Sequence, residues 1–131
     1  MKEGTNSWIC IKLQPSSQAP TAASVASWFN NAAARDTASL ADLVAAHPGK
    51  LEVLTLDVTN AEQVEAARVH CADANLLINN AGVNRGQGLI AAKSIEHAQA
   101  EMATNYFGTL AMCRAFAPQL ANGGAIVNVL S

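Results

Sequence analysis

The residues best suited to chemistry are Asp57-Val58, the tetrapeptide Asn79-Asn80-Ala81-Gly82, Asn105 and Ser131. Small residues at Ala81 and Gly82 let a backbone come close to a flat ligand, and glycine takes a positive φ without steric cost. Asparagine-glycine turns are also common where no ligand binds, so the tetrapeptide alone fits a turn as well as a site. Asp57 offers a hydrogen-bond acceptor, although taken alone an aspartate at a strand end is more often a cap or a solvated carboxylate. Arg35, in Ala34-Arg35-Asp36, has the planar fork that suits a phosphate; a solvated surface arginine is the equal reading. His47, His70 and His97 fall on three different predicted helices without metal-ligand spacing. Cys10, Cys71 and Cys113 are scattered without a C-x-x-C, which implies neither a zinc site nor a disulfide framework. Cys113, Met102 and Met112 read as packing residues.

The elements that must position these residues alternate in type. Ala38 to His47 carries Leu40, Leu43 and Val44 at helical spacing, and Pro48-Gly49 stops it. Leu51 to Leu56 is a β-rich run ended by Asp57. Thr59 or Asn60 caps a helix from Ala61 to about His70, with Glu62 in its first turn. Asn75 to Asn79 reads as a buried strand, followed by a loop from Asn80 to Gly88. Ser94 opens a long helix, Ile95 to Leu120, with Ile95, Met102, Tyr106, Leu110, Cys113 and Ala117 near one face and Pro118 kinking or ending it. Gly123-Gly124 turns the chain into a last strand pattern, Ala125 to Leu130. Such alternation with short connections is the mark of parallel β-α-β units, whose ligands sit at the carboxyl ends of the strands. Asp57, Asn79 to Gly82 and Ser131 occupy those ends.

Composition bounds the function. The 131 residues are half hydrophobic and 14% charged, which is one domain with a single core. A net charge of −2 gives no footprint for nucleic acid or an anionic membrane. No apolar run reaches the roughly 18 residues of a membrane span. Trp8 to Leu13 is too short for a secretion signal, so the expected setting is a reducing cytoplasm.

Asp57-Val58, Asn79-Asn80-Ala81-Gly82, Asn105 and Ile126-Val127-Asn128-Val129-Leu130-Ser131 occur in one order, and this combination resembles the short-chain dehydrogenase/reductase family. The resemblance covers about Ala32 to Ser131, and N-N-A-G is its most specific part. It implies that Asp57 bonds an adenine amino group with Val58 on the ring, and that Asn79, Ala81 and Gly82 line the adenosine part of the cofactor. It implies that the Asn105 backbone helps hold a water in a proton relay and that Ser131 orients a substrate carbonyl or hydroxyl. Arg35 matches the place where an arginine meets the extra phosphate of NADP, which favours NADP over NAD.

Two parts of the family's machinery are absent from these residues. The tyrosine and lysine spaced Y-x-x-x-K follow the strand that here leads to Ser131, and Tyr106 has no lysine at that spacing. Without them nothing moves a proton as hydride moves. The glycine-rich turn T-G-x-x-x-G-x-G, which holds the pyrophosphate, is replaced by Gln18-Ala19-Pro20-Thr21-Ala22-Ala23-Ser24-Val25. The codons ACA GGC GCC AAC CGC GGC ATC GGT spell such a turn; read one base later they spell this segment. Residues 14 to 31 therefore read as out of frame, which divides the chain into an atypical segment 1–31 and a partial dinucleotide-binding domain 32–131. The rival reading is that the segment folds, with Trp8 to Leu13 as a first strand and Ala19 to Ala34 as a helix bearing Val25, Trp28 and Phe29 on one face.

The resemblance implies an α/β, Rossmann-like, three-layer and mostly parallel sheet in the order 3-2-1-4-5, lacking the carboxyl-terminal half of the family domain. A second strand cut to about Ala32–Arg35 would leave a gap in it and only marginal stability. The implied function is an NAD(P)-dependent oxidoreductase interconverting carbonyl and alcohol, here a fragment inactive by itself that binds NADP or NAD weakly. Its implied partners are a nicotinamide dinucleotide and a small carbonyl or alcohol substrate, with no nucleic acid and no membrane. The long helix resembles a subunit-packing helix, so a homo-oligomer through residues 95–120 is expected. The alternatives are a non-catalytic nucleotide-binding or oligomerisation module and an unrelated small α/β binding domain.

Overall fold

Five strands join in one sheet of order β3-β2-β1-β4-β5, with helices on both faces. The structure, a computed structural model, describes residues 7–11, 29–85 and 94–129, and only the backbone of 7–11, 29 and 30. The strands are β1 (Ser7–Ile11), β2 (Phe29–Ala34), β3 (Glu52–Thr55), β4 (Leu76–Asn79) and β5 (Ala125–Asn128). Helix α1 (Ala41–Ala46) follows a 3₁₀ turn at Thr37–Leu40, and α2 is Ala61–His70. Helix α3 (Glu96–Glu101) passes through a π-helical stretch, Met102–Gly108, into α4 (Thr109–Leu120).

β2 pairs parallel with β3, and β4 with β5, in the expected strand order. The centre departs from the expected β-α-β. β1 is antiparallel to both neighbours, with Ser7 opposite Ala34 and Ile11 opposite Phe29 on one side and Leu76 on the other. A parallel neighbour needs a crossover over a sheet face, whereas an antiparallel one needs only a return at the same edge. Four of the five strands still share one direction, so the sheet is mostly parallel. β2 contains the expected strand residues 32–34 and begins at Phe29, so the helix that the rival reading ran on to Ala34 does not reach past Trp28. The expected gap beside β3 is also corrected, because Phe29–Asn31 lengthen β2 to six residues.

Alternation along β2 sends Ala33 to one face and Ala32 and Ala34 to the other. Ala33 meets Leu56, Val58, Leu77, Met112 and Phe116 in the main core, under α2 and α4. Among the described residues, Ala32 and Ala34 cluster with buried Leu40, with Leu43, Leu51 and Val53 alongside. Val44, expected on the same stripe, is exposed. Asn60 caps α2, its side chain accepting from Glu62 N at 3.0 Å and Gln63 N at 3.1 Å.

The 96–120 helix buries a different face from the one expected. Thr104, Gly108, Met112, Phe116 and Leu120 turn inward, while Ile95, Met102, Tyr106 and Leu110 are exposed. Spacing of four keeps the buried set on one stripe, and its small member decides the contact. A Cβ on Gly108 would lie 2.3 Å from Val58 Cγ2, so only glycine lets the helix come this close. Pro118 lies inside the helix and does not end it; α4 runs on to Leu120, and the chain turns at Gly123 with φ +106°. Cys71 is disulfide-bonded and wholly buried, although the cysteine spacing implied no such bond, and Cys113 is free. Among the described residues no helix is long and apolar enough to cross a membrane.

Candidate functional site

The carboxyl ends of β2, β3, β4 and β5 lie along one edge of the sheet, and the turns leaving them carry most of the candidate residues. After β3, Asp57 organises the entry to α2. Its Oδ1 accepts from Thr59 N at 2.9 Å and Thr59 Oγ1 at 2.7 Å, and its own N–H donates to Gln63 Oε1 at 2.7 Å. The carboxylate is half-buried at the rim. Val58 is buried, its side chain packed against Gly108 in the main core.

After β4, the tetrapeptide divides into a structural part and an open part. Asn79 is buried; its Nδ2 donates to Asn128 Oδ1 at 2.7 Å and to Cys113 Sγ at 3.4 Å, while its backbone carbonyl accepts from Val129 N at 2.8 Å. These bonds tie β4 to β5 and to α4, and its buried Oδ1 has no hydrogen-bond partner among the described residues. Asn80 is exposed, and Ala81 and Gly82 are half-buried.

Asn105 holds the next residue from the helix side. Its Oδ1 accepts from Val83 N at 2.8 Å and its Nδ2 donates to Val83 O at 2.8 Å, a two-point clamp on the loop backbone. Glu101 adds a second hold, its Oε1 accepting from Arg85 N at 2.6 Å. Asn105 sits inside the π-helical stretch, a conformation frequent at functional sites. Gly82 faces the clamp, since a Cβ there would be 3.7 Å from Asn105 Oδ1.

After β2, Arg35 is exposed, and Asp36 starts the 3₁₀ turn by accepting from Ala38 N at 3.0 Å. Leu56 N donates to Ala34 O at 3.0 Å, which keeps Arg35 beside the turn that bears Asp57. The structure thus gathers Arg35, Asp57, Ala81, Gly82 and Asn105 on one edge, with Val58 and Asn79 as its buried supports. Ser131 lies outside the described residues. Glu101, Gly108 and Asn128 also hold the site, and sequence reasoning missed them; a glycine inside an otherwise strong helix was the one available signal. Among the described residues no group of three or more histidine, cysteine, aspartate or glutamate side chains could hold a metal. His70 instead pairs with Glu52 at 3.1 Å.

Such an edge offers a planar ligand an acceptor at Asp57, a low loop at Ala81–Gly82 and a guanidinium at Arg35. The chain is 48% identical, with a TM-score of 0.67, to a short chain dehydrogenase from Burkholderia cenocepacia in complex with NADP, over 76% of this chain and 40% of that one. Serine dehydrogenase from Escherichia coli is 28% identical with a TM-score of 0.68, covering 76% of this chain and 48% of its own. The 3-ketodihydrosphingosine reductase of Bacteroides thetaiotaomicron is 36% identical over 89 residues, which are 63% of this chain and 33% of the reductase. Carbonyl reductase family member 4 of Danio rerio is 36% identical over 81 residues, 58% of this chain and 34% of its own length. The chain therefore spans about a third of the curated relatives it matches. The family model described as short chain dehydrogenase matches residues 21–131, and the chain belongs to that family.

Proposed function

We propose that this chain carries the adenosine-binding half of a nicotinamide-dinucleotide oxidoreductase acting on carbonyls and alcohols, and that these 131 residues alone bind adenine nucleotide without turning substrate over. The observation that carries the reading is the Asn105 clamp on Val83, which fixes the Ala81–Gly82 loop on the same edge as Asp57. Asp57 would accept from an adenine amino group, with Val58 contributing its main chain, while Ala81 and Gly82 line the ribose side and Asn79 supports them from below. Arg35 would take a 2′-phosphate, which favours NADP, and the NADP-bound relative from Burkholderia supports that preference. Asn105 and Ser131 would serve a relay and a substrate, but the sequence holds no Y-x-x-x-K pair to supply the proton. The test is a titration with adenosine 2′-phosphate beside an NADPH-oxidation assay over a panel of small carbonyls. Binding without oxidation is expected; measurable turnover by this chain would overturn the claim of inactivity.

A second reading, an oligomerisation module, rests on the uncovered helix face. Met102, Tyr106 and Phe107 are each at least half exposed, and Phe107 and Leu110 border a groove of about 420 Å³ between α2 and α4. Sedimentation of the chain and of Phe107→Asp separates the readings: a dimer lost on substitution favours the module. The out-of-frame origin of residues 14–31, and with it a boundary near Ala32, is decided by the coding DNA, which must read as a glycine-rich turn in the other frame.

A further inference from the structure

We infer that the site takes the adenosine end of a dinucleotide alone, so that adenosine 2′-phosphate binds this chain as tightly as intact NADP⁺. The inference rests on the nucleotide reading above and adds to it a limit set by strand direction. In doubly wound sheets a diphosphate lies outside the carboxyl end of a central strand, against the amino terminus of the helix that follows. Here the central strand runs the other way. The carboxyl end of β1, Ile11, lies beside Phe29 and Leu76, the first residues of β2 and β4.

At the edge that holds Asp57 and Gly82, the central place is taken by Ser7, which pairs with Ala34 of β2. A strand that begins at this edge sends the chain away from it, and among the described residues no helix amino terminus follows it there to turn a row of N–H groups toward a diphosphate. The connection from Ile11 to Phe29 starts and finishes at the opposite edge, and residues 12–28 contain no glycine to wrap a phosphate closely. Arg35 and Asp57 lie to one side of the reversed strand and Gly82 to the other, so the adenosine contacts survive while the centre is lost. The residues present fit one end of the cofactor and not its middle.

The experiment is calorimetric titration of the unmodified chain with adenosine 2′-phosphate, NADP⁺ and nicotinamide mononucleotide. The expected result is dissociation constants for the first two within about fivefold, about 1 kcal/mol, and no heat from the third. NADP⁺ binding tighter by more than that factor, or binding of the mononucleotide, overturns the inference while leaving the nucleotide reading intact. Binding of none of the three overturns that reading and the inference together. Asp57→Ala provides a second measure: it should weaken both adenine ligands by the same factor, and a loss confined to one of them overturns the inference.

Discussion

The two faces of the sheet are built to different depths. Under α2 and α4, Ala33 is surrounded by Leu56, Leu77, Met112 and Phe116, all but closed to solvent. On the opposite face the buried set among the described residues is two alanines and Leu40. Apolar area removed from water stabilises at about 25 cal/mol per Å², so large side chains make the first face the main source of stability. The comparison also says which parts of the site are firm. Val58 and Asn79 are buried and Asn105 is tied to the loop at two points, whereas Arg35 is exposed just beyond the end of β2.

Substitutions would test this contrast in order of size. Phe116→Ala should cost about 3–5 kcal/mol and abolish cooperative unfolding in urea. Leu40→Ala should fall near about 2 kcal/mol, because the shallow core has less to lose; equal losses would remove the asymmetry. Gly108→Ala should cost about 1–3 kcal/mol through the clash with Val58, less up to about 1 kcal/mol from the better helix preference of alanine. Adding Val58→Ala should recover part of that loss, and a double-mutant cycle reads the coupling. Asn105→Ala should leave the urea midpoint nearly unchanged and act locally. Its measure is faster hydrogen exchange at the Val83 amide, and unchanged protection there would show that the clamp is not what holds the loop.

Much of the deep face was legible before any coordinates. The α2 limits, the Asn60 cap and the β3, β4 and β5 runs follow from apolar spacing and caps, which are local properties. The helix from 96 to 120 shows where local reading stops. It carries two apolar stripes, one through Met112 and Phe116 and one through Tyr106 and Leu110, and periodicity alone does not choose between them. Gly108 chooses, by letting the helix onto Val58, a partner fifty residues away in the chain. Strand direction at β1 was hidden for a related reason: it depends on which edge the chain leaves by, and a strand pattern reads the same both ways. In the site, Asn105 and the Ala81–Gly82 loop were legible as positions. The inward turn of Val58 and the tie from Asn79 to Asn128 were not, because both depend on a partner element.

The outermost strand on the β5 side has a handling consequence. Among the described residues its far edge bonds to nothing in the sheet, and Val127 and Val129 stand exposed on or just after it. β3, at the other margin, shows solvent the charged Glu52 instead. An uncharged, open margin templates intermolecular β-pairing, and a lysine discourages it. Concentrated stocks should therefore cloud by growth from β5, and Val127→Lys should keep them clear in a light-scattering trace.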